Sequence, residues 1–333
     1  MIKVALDAMG GDRAPRVVVE GAAWASRELS CHITLVGNER NINKLLNKTD
    51  YVKEKISIVD AKEVIQMDEP AAMSVRRKKD SSINVGIDLL KSKKVDAFVS
   101  AGNTGAVVCS AALKLRMLPG VERPGIAIAL PTLIKPCLLI DVGANIDATP
   151  LHLMHYGVMG HAYAKYILDR PNPKVGLLNI GQEESKGTKL LKEARQLFED
   201  SNLNFYGNVE ARDVYTGTVD VIVCDGFMGN VVLKITESFA ESTSTLLKRE
   251  LTKRLLPKIG AMLSLSAFRA IRKKIDYSEY GGTPLLGVDG RVIIAHGGSN
   301  AKAIKNAVRS ACAYVEHKIN KHIIEGLEKI NVK

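Results

Sequence analysis

The run Cys224-Asp225-Gly226-Phe227-Met228-Gly229-Asn230 joins an apolar stretch, 219–223, to a long helical pattern that begins at Val231. A buried strand that ends in a glycine-bearing turn and opens a helix aims the first unpaired N–H groups at whatever lies above the strand. Those amides and the helix dipole favour an anion. The design recurs. Asp7-Ala8-Met9-Gly10-Gly11-Asp12 follows the first strand pattern, and Pro15 suits the first turn of the next helix. Ser100-Ala101-Gly102-Asn103-Thr104-Gly105-Ala106, Asp141-Val142-Gly143-Ala144-Asn145 and His296-Gly297-Gly298-Ser299-Asn300 repeat it. Gly10 and Gly11 let the backbone come close to a ligand. Asn103, Thr104 and Asn145 bring amide or hydroxyl donors to helix starts. One such turn is ordinary turn chemistry. Several at the carboxyl ends of strands, gathered over one sheet edge, read as a site for phosphate.

Gly181-Gln182-Glu183-Glu184-Ser185-Lys186-Gly187-Thr188-Lys189 resembles a P-loop only superficially. Its spacing is one residue too long and Thr precedes Lys, so a nucleotide triphosphatase is rejected. Lys186 is then either a cation for phosphate or for a developing oxyanion, or a solvated lysine in a glycine turn. The first turn is not G-x-G-x-x-G, which removes a dinucleotide cofactor. There is no G-x-S-x-G elbow and no H-E-x-x-H. His152, His155 and His161 fall in one helical pattern without an evident third ligand, so no metal is expected. No cysteine has a histidine-based activation motif. If the protein is an enzyme, the nucleophile comes from the substrate.

These turns need a frame that repeats strand, turn and helix. Strand patterns fall at 2–6, 32–36, 56–59, 95–99, 125–130, 137–140, 175–179, 219–223 and 292–295. Helical patterns fall at 15–28, 83–90, 104–115, 151–168, 188–198, 231–251 and 300–327. The strands read as continuous apolar runs, as expected when both faces are covered. The alternation predicts a three-layer α/β/α, Rossmann-like body with a mostly parallel sheet. No linker splits the chain, so residues 1–333 read as one domain. Residues 231–280 break the rhythm with two consecutive helical patterns, a helical hairpin within that domain. Its second helix carries Leu263, Phe268 and Ile271 at helical steps beside Arg269, Arg272 and Lys273. Such a basic amphipathic pair can lie on a membrane, receive an acyl chain or bind an acidic partner. It can equally dock on its own core or on a second subunit.

The chain has 333 residues, 46% of them hydrophobic and 25% charged, which is ordinary globular composition. No apolar run approaches the roughly 20 residues that cross a bilayer, and no signal pattern opens the chain. The five scattered cysteines form no C-x-x-C pair, which fits a reduced cytoplasm. A formal net charge of +11 admits nucleic acid, an anionic membrane surface, acidic proteins or anionic small substrates. The basic residues form no single arm and lack interleaved aromatics, which argues against nucleic acid.

In this order, the motifs closely resemble those of the bacterial phosphate acyltransferase family PlsX. The matches are Asp7–Asp12 with Ala14-Pro15, Arg76-Arg77-Lys78-Lys79, the Ser100 and Asp141 turns, and Gly176-Leu177-Leu178-Asn179-Ile180-Gly181. They continue with Gly207-Asn208-Val209-Glu210-Ala211-Arg212-Asp213, Asp225 to Asn230, Tyr280-Gly281-Gly282 and the His296 turn. Met228 stands where the family usually has Thr, and Gly298 where Ser is common. The resemblance implies acyl transfer from long-chain acyl-acyl carrier protein to inorganic phosphate, giving an acyl phosphate for phospholipid synthesis. It implies a homodimer whose fold is related to phosphotransacetylases and isocitrate-type dehydrogenases, with no cofactor. It further implies peripheral contact with the inner face of the membrane and coupling to a glycerol-3-phosphate acyltransferase. Roles follow as expectations. Lys186 and Asn230 stabilise charge, and Asp225 and His296 organise the centre. Gly10, Gly11, Asn103, Thr104, Asn145 and Gly229 hold phosphate. Leu263, Phe268 and Ile271 contact the acyl chain, and Arg269, Arg272 and Lys273 meet the carrier or lipid headgroups. A phosphotransacetylase-like enzyme using acyl-coenzyme A, and a non-enzymatic adaptor for acidic partners, are the alternatives.

Overall fold

The computed structural model describes residues 1–268 and 281–330. Among the described residues, eleven strands form one sheet. Their sequence is β1 (Ile2–Asp7), β2 (Cys31–Gly37), β3 (Ile56–Asp60), β4 (Ala97–Ser100), β5 (Gly125–Leu130) and β6 (Cys137–Ile140). Then come β7 (Val175–Leu178), β8 (Phe205–Val209), β9 (Val221–Val223), β10 (Thr283–Leu286) and β11 (Val292–Ile294). The order across the sheet is β3-β2-β1-β4-β11-β10-β5-β6-β9-β7-β8. Every neighbouring pair is parallel except β11–β10, β10–β5 and β5–β6. The mostly parallel sheet is therefore as expected.

Both faces are covered, and alternate side chains on one strand serve different layers. Val4 and Leu6 join a core with Val18, Val19, Ala22, Ile304 and Val308, from helices Arg16–Glu28 and Ala301–Glu316. Ala5 belongs to the opposite core, with Ile83 and Ile87 of helix Ser82–Lys91 and Val107 of helix Thr104–Leu115. On the other half of the sheet, Leu138 and Ile140 pack on Met154, Tyr156 and Met159 of helix Pro150–Tyr166. Each fully buried leucine or isoleucine contributes about 1.5–3 kcal/mol by leaving water.

The strand directions overturn one expectation. Because three consecutive pairings are antiparallel, β6, β9, β7 and β8 run opposite to β1, β2, β3, β4 and β11. Residues Leu6, Val99, Ile293, Pro284, Ala127, Ile140, Val223 and Leu177 form one row of the register. The carboxyl ends of both halves reach that row, from opposite sides. The glycine turns therefore do not gather over one edge. They divide between two notches, one beyond β1, β4 and β11, the other beyond β6, β9 and β7.

Helix Gly226–Thr252 connects them. It begins in the second notch, and its Glu237 carboxylate lies 3.9 Å from His296 Nε2 in the first. Eleven residues at about 1.5 Å each put the two contacts about 16 Å apart along the helix. This helix starts five residues before Val231, so Gly226 to Asn230 form its first turn and not a loop. Helix Leu255–Leu263 follows it after a short break. The pattern at 300–327 is two helices, because Lys318 adopts φ 49 and ψ 42, a left-handed conformation that no helix continues through. No described helix is long and apolar enough to cross a membrane.

Candidate active site

Three turns meet in the first notch. At Gly10 an added Cβ would lie 2.6 Å from Gly102 N, and at Gly11 it would lie 3.0 Å from Gly297 O. Gly11 also has φ +105, where a side chain would be strained. Behind them Asp7 is buried. Its carboxylate accepts from Ser100 Oγ at 2.6 Å and from Met9 N at 3.0 Å. Burial pushes its pKa upward against those hydrogen bonds. Arg13 donates to Gly298 O at 2.8 Å and Ser299 O at 3.0 Å, tying the third turn to the first.

His296 is oriented by the turn it begins. Gly298 N donates to its Nδ1 at 3.0 Å, so the neutral ring carries its proton on Nε2, the atom nearest Glu237. Glu237 is itself held by Lys234 Nζ at 2.8 Å. A Cβ on Gly298 would lie 3.2 Å from that Nδ1, so glycine suits this tight turn.

Asn103 was expected to hold phosphate, and its polar atoms are occupied otherwise. Its Oδ1 caps helix Thr104–Leu115 by accepting from Ala106 N at 3.0 Å. Its Nδ2 donates to the carbonyls of Gln66, Met67 and Glu69 at 3.0–3.1 Å. Asn103 is a tie between a loop and a helix start. Thr104 and Gly105, by contrast, are exposed, and their N–H groups have no acceptor among the described residues. Replacing Asn103 by alanine is expected to lower stability by about 1–3 kcal/mol in urea unfolding, through the lost cap and orphaned carbonyls. A change under about 0.5 kcal/mol would remove this role.

The second notch is organised by Asp141. Its buried carboxylate accepts from four backbone amides, those of Ile126, Gly143, Ala144 and Asn145, at 2.7–3.1 Å. Burial raises its pKa while those amides pull the other way. Asn145 O accepts from Gly226 N at 2.9 Å, and Asp225 Oδ1 caps the helix at Met228 N, 2.9 Å. The amides that the sequence offered to an anion are thus largely occupied by the protein itself. Asn145 turns its Nδ2 toward Tyr156 OH and His152 Nδ1, each at 3.3 Å, and not toward a ligand space. Gly229 is a packing residue. An added Cβ there would overlap the Asp141 carbonyl oxygen and sit 2.9 Å from Cys224 Sγ. Asn230 lies beside Gly143, whose added Cβ would come within 3.8 Å of it.

Lys186 lies in the turn between β7 and helix Lys189–Glu199, at the same end of the sheet. Two buried asparagines hold that turn by its main chain. Asn179 Nδ2 donates to Lys186 O at 3.3 Å, and Asn208 Nδ2 to Glu183 O at 2.9 Å. Both escaped the assignment of roles from sequence, although each stands inside a quoted motif at a strand end. The Lys186 side chain is exposed, with no carboxylate in ion-pair range among the described residues.

The three histidines do not converge. His152 caps its helix and bonds Glu122 at 2.9 Å, while burial lowers the pKa of His155 and His161. Leu263 is 82% exposed and Phe268 half-buried. Arg269, Ile271, Arg272 and Lys273 lie outside the described residues.

Residues 2–322 match the family model described as "Fatty acid synthesis protein". A curated phosphate acyltransferase from Geotalea daltonii is 49% identical over 98% of this chain and 95% of its own. The chain belongs to this phosphate acyltransferase family. It is accordingly an acyltransferase. Among solved structures, a phosphotransacetylase from Streptococcus pyogenes superposes with TM-score 0.65 at 18% identity, covering 95% of this chain and 94% of that one. A 4-hydroxythreonine-4-phosphate dehydrogenase from Klebsiella pneumoniae gives 0.57 at 12% identity, covering 94% and 99%. At such identities they show the fold alone, and it is the expected Rossmann-like α/β/α one.

Proposed function

We propose that this acyltransferase moves a long-chain acyl group from acyl carrier protein to inorganic phosphate, forming acyl phosphate for phosphatidic acid and phospholipid synthesis. The observation that carries the reading is the open start of helix Thr104–Leu115, set among three contacting glycine turns, in a chain of the phosphate acyltransferase family. The exposed Thr104 and Gly105 N–H groups and the Thr104 hydroxyl are the donors offered to phosphate there. A phosphate oxygen adds to the thioester carbon, the carbonyl oxygen becomes a tetrahedral oxyanion, and the C–S bond breaks. The thiolate leaves with the electron pair and takes a proton from solvent. Phosphate is already an anionic nucleophile and a thiolate leaves readily, so no activated side-chain nucleophile is needed. Juxtaposition can contribute about 7–11 kcal/mol, and one well-aimed oxyanion donor about 3–4 kcal/mol. Lys186 is retained as the cation that the second notch offers to an anionic group of the substrates.

The same reading includes a homodimer. Phe227, Val231, Ile235 and Phe239 recur at four-residue steps along helix Gly226–Thr252 and are all exposed, a stripe that a second copy would cover. Peripheral membrane contact is supported by exposed Leu256, Met262 and Leu263 on a helix that also carries Lys258 and follows Lys253 and Arg254. The product's chemistry calls for an acyltransferase that passes the acyl group to glycerol 3-phosphate.

The deciding assay is thiol release from long-chain acyl carrier protein, with and without inorganic phosphate. Phosphate-dependent release is expected, and its absence overturns the reading. Acyl-coenzyme A in parallel separates the phosphotransacetylase-like alternative. Lys186→Ala is expected to lower turnover at least about 10-fold without changing the melting temperature. Unchanged turnover in the folded variant would take Lys186 out of the chemistry.

A further inference from the structure

The segment that frames the first notch on its outer side carries charge which the proposed chemistry leaves unused. Helix Ala71–Arg77 packs beside the open helix start, since a Cβ on Gly105 would lie 3.0 Å from Ala71 Cβ. Just before it, Met67 reaches the His296 turn, where a Cβ on Gly297 would lie 3.0 Å from Met67 Cε. Asn103 fixes this approach through three carbonyls. The helix end is equally fixed, because buried Asn84 donates to Val75 O at 2.9 Å and Lys78 O at 2.8 Å.

The four basic residues Arg76-Arg77-Lys78-Lys79 are not equivalent on this rigid support. Lys78 turns inward, donating to Val64 O at 2.7 Å and pairing with Glu69. Arg76, Arg77 and Lys79 point to solvent, and no carboxylate pairs with them among the described residues. Several other arginines of this chain are partnered, as in Arg16–Glu20, Arg27–Asp50, Arg170–Asp220 and Arg195–Glu199. Beside these unpaired cations, Met67 is 47% and Met73 51% exposed. An exposed basic and methionine-bearing surface therefore adjoins the turns that are open to phosphate.

We infer that Arg76, Arg77 and Lys79, with Met67 and Met73, form the docking surface for the acidic protein that delivers the acyl thioester. The inference rests on the functional reading above and deepens it by naming the face on which the donor sits. Charge complementarity selects the occupant, since unpaired guanidinium groups beside the notch attract carboxylates. The exposed methionines adapt to an apolar contact. Docking here would set the thioester of the carrier close to the Thr104 helix start.

The test measures kcat/KM for acyl carrier protein and for a small acyl thioester lacking the protein, in the parent and in the R76E/R77E double variant. The ratio of carrier to small thioester is expected to fall at least 10-fold in the variant at low salt. The fall should shrink as salt screens the contact. The R76K/R77K variant, which keeps the charge, is expected to retain most of the parent ratio. A parent ratio and salt dependence in R76E/R77E would overturn the proposal. So would loss of co-sedimentation with anionic phospholipid vesicles at an unchanged ratio, which would give the surface to a membrane. Parent enzyme that consumes neither thioester in the presence of phosphate would instead refute the functional reading.

Discussion

Replacing Asp141 by alanine is expected to leave little folded protein. One carboxylate accepts the N–H groups of Ile126, Gly143, Ala144 and Asn145, and alanine would orphan all four at once. An unsatisfied buried donor costs about 1–3 kcal/mol, and even partial relaxation leaves a loss of several kcal/mol. Whole-domain stabilities are only about 5–15 kcal/mol. Asp141→Asn is expected to be milder. It keeps one oxygen, which can still serve Ile126, Gly143 and Ala144 from the Oδ1 side, and presents an NH2 group to Asn145 N. The Asn145 peptide would then loosen, and with it the carbonyl that holds Gly226 N. Folding yield and thermal unfolding read the first variant, and turnover relative to melting temperature reads the second. An alanine variant that melts within about 1 °C of the parent would show that Asp141 does not organise this notch.

Gly229→Ala is the second large effect expected. The methyl group would have to occupy space held by the Asp141 carbonyl oxygen, with Cys224 Sγ as the next obstacle. The carbonyl is main chain and the Cys224 thiol is buried, so the helix start must retreat from the β6 turn. Overpacking of this kind costs about 1–3 kcal/mol, so the protein should still fold. The displacement passes along helix Gly226–Thr252 to Glu237 and His296. A misplacement of about 1 Å can cost roughly 100-fold in rate. Turnover is therefore expected to drop about 100-fold while circular dichroism remains that of the parent. A variant of parental activity would separate the helix start from the chemistry.

These two residues show what sequence reading can and cannot reach. The strand–turn–helix units were legible because each strand is a short apolar run and each turn carries glycine with a polar cap. The three-layer fold followed from that alternation. Strand β10 escaped notice because Thr283-Pro284-Leu285-Leu286 is short and contains a proline that cannot donate to a ladder. Strand β8 escaped because Phe205-Tyr206-Gly207-Asn208-Val209 lies at the sheet edge and buries little of its first half. The direction of the β5–β6 pair, two strands that the apolar runs did reveal, had the larger consequence. Strand β10 is antiparallel to both β11 and β5, which leaves those two alike in direction, so the antiparallel β5–β6 pairing is what reverses half of the sheet. With that pair taken as parallel, all turns look as though they share one edge. Asn103 and Asn145 were legible as polar residues at helix starts. Their real bonds, to Met67 and Tyr156, reach 36 and 11 residues along the chain. No local pattern could distinguish a donor aimed at a ligand from one already taken by a neighbouring carbonyl.

The joint between β10 and β5 is narrow. Only the pairs Leu285–Ile126 and Leu286–Gly125 sew it, whereas β1 and β2 share six. Pivoting one half of the molecule against the other would consequently strain few main-chain bonds. Helix Gly226–Thr252 spans that joint as a strut, anchored at Asp141 and braced near His296. A swing of that kind would move the two notches together.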